Sequence, residues 1–72
     1  MNGYKENNME NKILEKLYRM WLFREEAKNG TKIYTIRTAR LNGAIDLVKA
    51  MGYDVQFNPL AEKENPFSIK LK

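Results

Sequence analysis

The chain has 72 residues, of which 43% are apolar, and its 13 Lys and Arg residues against 9 Asp and Glu residues give a net charge of +4. Neither Cys nor His is present, which excludes disulfides and thiolate metal sites and removes the commonest general base and metal ligand. A chain of this length forms one small domain, in which only about 60% of the unfolded surface can be buried. We therefore expect a single domain over residues 1–72 that is not an enzyme and uses no cofactor or metal.

The N-terminal part of the chain predicts a tail followed by a helix. Residues 1–7 show no periodicity and are expected to be a disordered tail. The helix is expected to begin near Asn7 or Asn8, since Asn is a favoured N-cap residue. It should end at Gly30, which can adopt the left-handed conformation after a helix. The apolar residues at helical spacing include Ile13, Leu17 and Met20.

The apolar side of this first helix is too wide for a single contact. Tyr18, Leu22 and Phe23 extend it beyond the stripe of about 100° that faces a core. Two interpretations stay open: these residues bind a second copy of the chain, or they are isolated apolar residues of the kind that surfaces tolerate. The first interpretation predicts a homo-oligomer, most simply a dimer.

The middle of the chain predicts a strand and a second helix. Thr31 to Arg37 is rich in β-branched and aromatic residues, which is typical of a strand. Thr38 is a suitable N-cap for a helix that Gly52 would end. Asn42-Gly43 is a weak point, where the helix could start or kink.

The C-terminal part predicts a β-hairpin. Apolar and polar residues alternate in two segments, so that each strand has one buried and one solvated face. Between them lies a charged loop with Asn-Pro at both ends. The apolar positions are Tyr53, Val55 and Phe57 in the first strand and Phe67, Ile69 and Leu71 in the second.

The order helix–strand–helix–strand–strand predicts a two-layer α+β fold. Its three-stranded, mainly antiparallel sheet would have the order 1-3-2, with both helices on one face. The alternative is a degenerate winged helix, because Ile45 to Lys72 resembles a recognition helix followed by a wing. Thr38 to Gly52 is too short for two helices and a turn, so that alternative requires a break at Asn42-Gly43.

A basic window, Ala27 to Ile45, contains no carboxylate, and its four cations equal the whole net charge. These residues could bind the phosphates of DNA or RNA, or they could simply be a solvated cluster that aids solubility. In a regular strand Lys32 and Arg37 would point to opposite sides, which leaves Arg37 and Arg40 as the favoured pair. The four candidate residues are Lys28, Lys32, Arg37 and Arg40.

The chain is small, is rich in Asn, Lys and Glu, and carries no recognised motif. In these respects it resembles small uncharacterised proteins encoded by prophages of low-GC Gram-positive bacteria. The resemblance implies a phage-associated cytoplasmic role without a defined activity. The longest apolar run is far shorter than a membrane span, so we expect a cytoplasmic protein that binds no membrane. No small-molecule substrate is indicated, and an interaction protein is the favoured function.

Overall fold

The computed structural model describes residues 3–60 and 65–72, which form an α+β fold of two helices and a two-stranded antiparallel sheet. The predicted fold class is therefore confirmed. The elements are α1 (Gly3–Glu26), α2 (Thr31–Ala50), β1 (Tyr53–Phe57) and β2 (Phe67–Leu71).

The two helices form an antiparallel hairpin with a short connection. α1 begins at Gly3, ahead of the start expected at Asn7 or Asn8, and so takes in residues 3–7, which the sequence assigned to a tail. Gly30 N–H donates to the carbonyl of Ala27 at 2.8 Å. Gly30 then serves as the N-cap of α2 in an extended conformation (φ −110°, ψ 103°), not in the left-handed one expected of it.

The strand expected over Thr31 to Arg37 is wrong, because this segment is the first half of α2. β-branched residues lower helix propensity by only a few tenths of a kcal/mol each, which packing against α1 readily outweighs. Thr35 donates its hydroxyl to the carbonyl of Thr31 at 2.8 Å, so the polar group of this side chain is satisfied within the helix. The spacing of Ile33 and Ile36 is helical, since residues three apart share one side of a helix.

α2 runs without interruption through Asn42 and Gly43, so the predicted weak point neither starts nor breaks the helix. Thr38 lies inside α2 and is not its cap. The winged-helix alternative therefore loses the break on which it depended. Gly52 ends the region as expected, with φ at +100°, a conformation that favours glycine.

The C-terminal hairpin is confirmed, but the sheet order 1-3-2 is wrong. β1 pairs with β2 in antiparallel register, with Tyr53 opposite Leu71 and Phe57 opposite Phe67. Since the expected first strand is helical, the sheet of the described residues contains these two strands only. Four residues of the predicted charged loop, 61–64, lie outside the described part of the chain.

The core is small and lies between the helical hairpin and the β-hairpin. Leu17, Leu41 and Phe67 form its buried centre, one each from α1, α2 and β2. β1 lies along α2 and β2 along α1. Asn65 fixes the hairpin to α1, because its side-chain amide donates to the carbonyl of Leu14 at 2.8 Å while its oxygen accepts from Phe67 N–H at 2.9 Å.

Among the described residues, no helix is both long enough and apolar enough to cross a membrane.

Candidate interaction surface

An open apolar groove runs between the two helices, and its walls come from α1, α2 and Met51, the residue that follows α2. Its volume is about 440 Å³. Lys12 and Lys16 line it as well, and no carboxylate does. The groove is therefore an apolar channel with cations along its α1 edge. The apolar residues that line it are Ile13, Leu17, Met20, Ala44, Leu47, Val48 and Met51.

Beside the groove, α2 presents an exposed stripe to solvent. Ile33, Ile36 and Leu47 are 52%, 54% and 64% exposed, respectively. Their neighbours on the same side of the helix are also exposed, at alternating spacings of three and four residues. We call this set the α2 stripe, and the stripe and groove together the open face. The α2 stripe consists of Ile33, Ile36, Arg40, Gly43, Leu47 and Ala50.

The described part of the chain exposes more large apolar side chains than it buries. Five apolar side chains are buried, whereas ten large ones are exposed. The radius of gyration is 13.2 Å, compared with about 11 Å expected for a compact domain of this length. The protomer is thus elongated, with a thin core and much unpartnered apolar surface.

The three residues predicted for self-association do not form one patch. Tyr18 stacks on Trp21 with ring centroids 6.2 Å apart. Leu22 is exposed on the outer side of α1. Phe23 lies about 100° further round the helix. The guanidinium carbon of Arg37 lies 3.5 Å from the centroid of its ring. Only Phe23 of the three therefore lies towards α2.

Three of the four predicted basic residues lie on α2, and the helical conformation changes their arrangement. At about 100° per residue, Lys32, Arg37 and Arg40 fall within an arc of about 140° on one broad side. Lys28 lies in the exposed connection that precedes α2. Arg37 is already engaged, since it donates to the carbonyl of Phe23 at 2.7 Å. Lys32 and Arg40 are exposed.

A second cavity lies between the helices and the β-hairpin. Its volume is about 170 Å³, below the range of about 300–1,000 Å³ that is typical of small-molecule sites. Trp21 Nε1 and Arg24 Nε are buried beside it without a hydrogen-bond partner among the described residues. In the same part of the chain, no three acidic side chains cluster closely enough to hold a metal ion.

The open face is the feature that sequence reasoning missed. Its signal was present in the sequence, because Ile33, Ile36 and Leu47 are spaced as on one side of a helix. The signal was hidden by the assignment of Thr31 to Arg37 to a strand, which removed the first two of these residues from the helical pattern.

Comparison of the chain with protein families, curated proteins and solved structures found no match.

Proposed function

We propose that this chain is a non-enzymatic interaction protein that self-associates through its open face. The observation that carries the proposal is the exposure of Ile33, Ile36 and Leu47 beside an apolar groove, in a protomer with only five buried apolar side chains. Apolar area removed from water stabilises a complex by about 25 cal/mol per Å² before the costs of association. Because the core of the protomer is thin, burial of the open face would add substantially to the apolar area removed from water.

The size of the open face is adequate for a small dimer. α2 has 20 residues and is therefore about 30 Å long. Two packed helices are about 20 Å wide, so the face offers about 600 Å² per copy, or about 1,200 Å² in a pair, at the lower limit for specific interfaces. Self-association is thus expected to be reversible and dependent on concentration.

Leu47→Glu tests this proposal. Leu47 is 64% exposed, and Glu has nearly the helix propensity of Leu, so the protomer should keep its fold and its far-ultraviolet circular dichroism. A dimer would bury two carboxylates in an apolar interface, and their desolvation costs more than attraction to Lys12 and Lys16 returns, which should weaken association by at least about tenfold. Sedimentation equilibrium over a range of concentrations measures the change.

Two further variants serve as controls. Leu60→Glu places the same charge on an 82% exposed residue beyond β1, and Leu22→Glu places it on the outer side of α1. Both should leave association unchanged. A wild-type chain that sediments as a monomer at high concentration would refute self-association. Loss of association in Leu22→Glu alone would move the interface to the outer side of α1.

Nucleic-acid binding is the second candidate function, and the helical placement of the basic residues favours it. Lys32 and Arg40 share one exposed side of α2, whereas the predicted strand would have placed Lys32 and Arg37 on opposite sides. No carboxylate occurs in the basic window, Ala27 to Ile45. Phosphate contacts from such a surface would be largely independent of sequence.

The double variant Lys32→Ala with Arg40→Ala tests nucleic-acid binding. Arg37 is left intact because it links the two helices. Affinity for DNA or RNA oligonucleotides should fall steeply with salt and should fall again in the double variant. The matched control, Lys16→Ala with Arg19→Ala, removes the same charge from α1. Equal losses in both double variants, or no binding at low salt, would argue against a phosphate-binding site on α2.

A further inference from the structure

The α2 stripe is self-complementary when two copies of the helix run in opposite directions. Its six positions follow the spacing 3-4-3-4-3, which is the seam of a coiled coil. When a second copy of the stripe is reversed about a point between residues 41 and 42, each of its six positions lies opposite a position of the first copy. Ile36 then faces Leu47 of the partner subunit, and two such apolar pairs flank the centre.

The remaining positions place a large side chain opposite a small one. Ile33 faces Ala50 of the partner subunit, and Arg40 faces Gly43 of the partner subunit. The stem of Arg40 could lie over the glycine while its guanidinium reaches solvent. Large-against-small contacts of this kind allow two helices to approach closely.

This arrangement explains why residue 43 is a glycine. Glycine is unfavourable inside a helix, yet nothing in the protomer lies within 4 Å of a Cβ built at this position. The conformation there is ordinary, since Gly52 is the only glycine with positive φ among the described residues. Crowding within the protomer and backbone strain therefore do not explain the glycine, whereas the close approach of a second helix does.

We infer that the protein forms a two-fold symmetric dimer in which the α2 helices of two copies pack antiparallel, centred between Leu41 and Asn42. The inference rests on the proposed self-association and specifies its geometry. One helix about 30 Å long and about 10 Å wide supplies only about 300 Å² per copy, so the interface must use the whole length of α2 and also cover the groove beside it to reach the lower limit for a specific dimer.

Single-cysteine cross-linking tests the geometry, and the chain has no cysteine of its own. In the antiparallel dimer the two copies of residue 40 lie about 4–5 Å apart along the axis, whereas the two copies of residue 33 lie about 25 Å apart. A disulfide needs Cα atoms closer than about 7 Å. Arg40→Cys should therefore form a covalent dimer on mild oxidation, and Ile33→Cys should not.

A mixture of two variants supplies the complementary test. Ile33→Cys mixed with Ala50→Cys should give a covalent heterodimer, although neither variant links to itself. Efficient self-linking of Ile33→Cys would indicate parallel helices and overturn the geometry. A wild-type dimer from which no variant cross-links would place the interface elsewhere and overturn the geometry alone. A monomeric wild-type chain would overturn both the geometry and the proposed function, leaving the open face to a different partner.

Discussion

Arg37, which its charge predicted to bind nucleic acid, links the two helices in the structure. Its guanidinium lies 3.5 Å above the ring of Phe23 and donates to the carbonyl of the same residue. A cation near the last turn of α1 is favoured by the helix dipole, and a cation above an aromatic ring gains about 0.5–2 kcal/mol. Arg37 therefore contributes to the joint between α1 and α2, and its charge is a poor measure of the surface available to phosphates.

At Gly43, the stability of the protomer and the stability of the dimer should respond in opposite directions. Gly43→Ala should raise the free energy of unfolding by about 0.5–1 kcal/mol, because alanine favours the helix and the space around its Cβ is open. Urea unfolding at concentrations where the chain is monomeric measures this gain. The same methyl group should weaken association at high concentration, since it lies where the second helix approaches.

The contrast with Gly52 provides the control for that experiment. Gly52→Ala should destabilise the protomer by about 1 kcal/mol or more, because φ is +100° at this position. If Gly43→Ala strengthened association as well as stability, a close contact at this residue would be contradicted.

At the scale of elements, hydrophobic pattern predicted the C-terminal half of the fold better than propensity predicted the middle. The alternation in β1 and β2 correctly gave a hairpin, in which Tyr53 and Phe67 are buried as expected but Phe57 and Leu71, on the same predicted face, are exposed. The segment Thr31 to Arg37 was assigned from its β-branched and aromatic content alone. Such content reflects packing context more than backbone preference, so it could not decide between a strand and a helix that packs on α1.

The candidate site was predictable only in part, for the same reason. The wide apolar side of α1 correctly indicated surplus apolar surface, and Leu22 and Phe23 are exposed. The larger exposed surface lies on α2, where the strand assignment separated Ile33 and Ile36 from Leu47. Once the segment is helical, the three isoleucine and leucine residues form one stripe. The tertiary arrangement of helices, which sequence alone did not supply, was needed to find it.

At the scale of the whole molecule, the charge distribution opposes self-association while the apolar surface favours it. Each copy carries a net charge of +4, and Lys12 and Lys16 line the α1 edge of the groove, within the open face. Arg40 belongs to the α2 stripe itself. Bringing two such faces together therefore places like charges near one another, and the apolar contacts must outweigh their repulsion.

This balance gives the two candidate functions opposite responses to salt. Between 0.1 M and 1 M sodium chloride the screening length falls from about 10 Å to about 3 Å. Repulsion between two Arg40 residues a few ångströms apart along the dimer axis should then be largely removed, so the dimer should become about threefold tighter or more. Nucleic-acid binding should weaken over the same range, because cations compete for the phosphates.

Sedimentation equilibrium at the two salt concentrations measures the response of the dimer, and Arg40→Gln identifies its source. This variant should associate more tightly than the wild type at 0.1 M salt and should show a smaller salt effect. Arg19→Gln is the matched control, because it removes one charge from an exposed residue paired with Glu15 on α1 at 3.3 Å and should change neither. Association that weakens with salt would mean that opposite charges hold the copies together, which the open face, with its lysines and Arg40, does not provide.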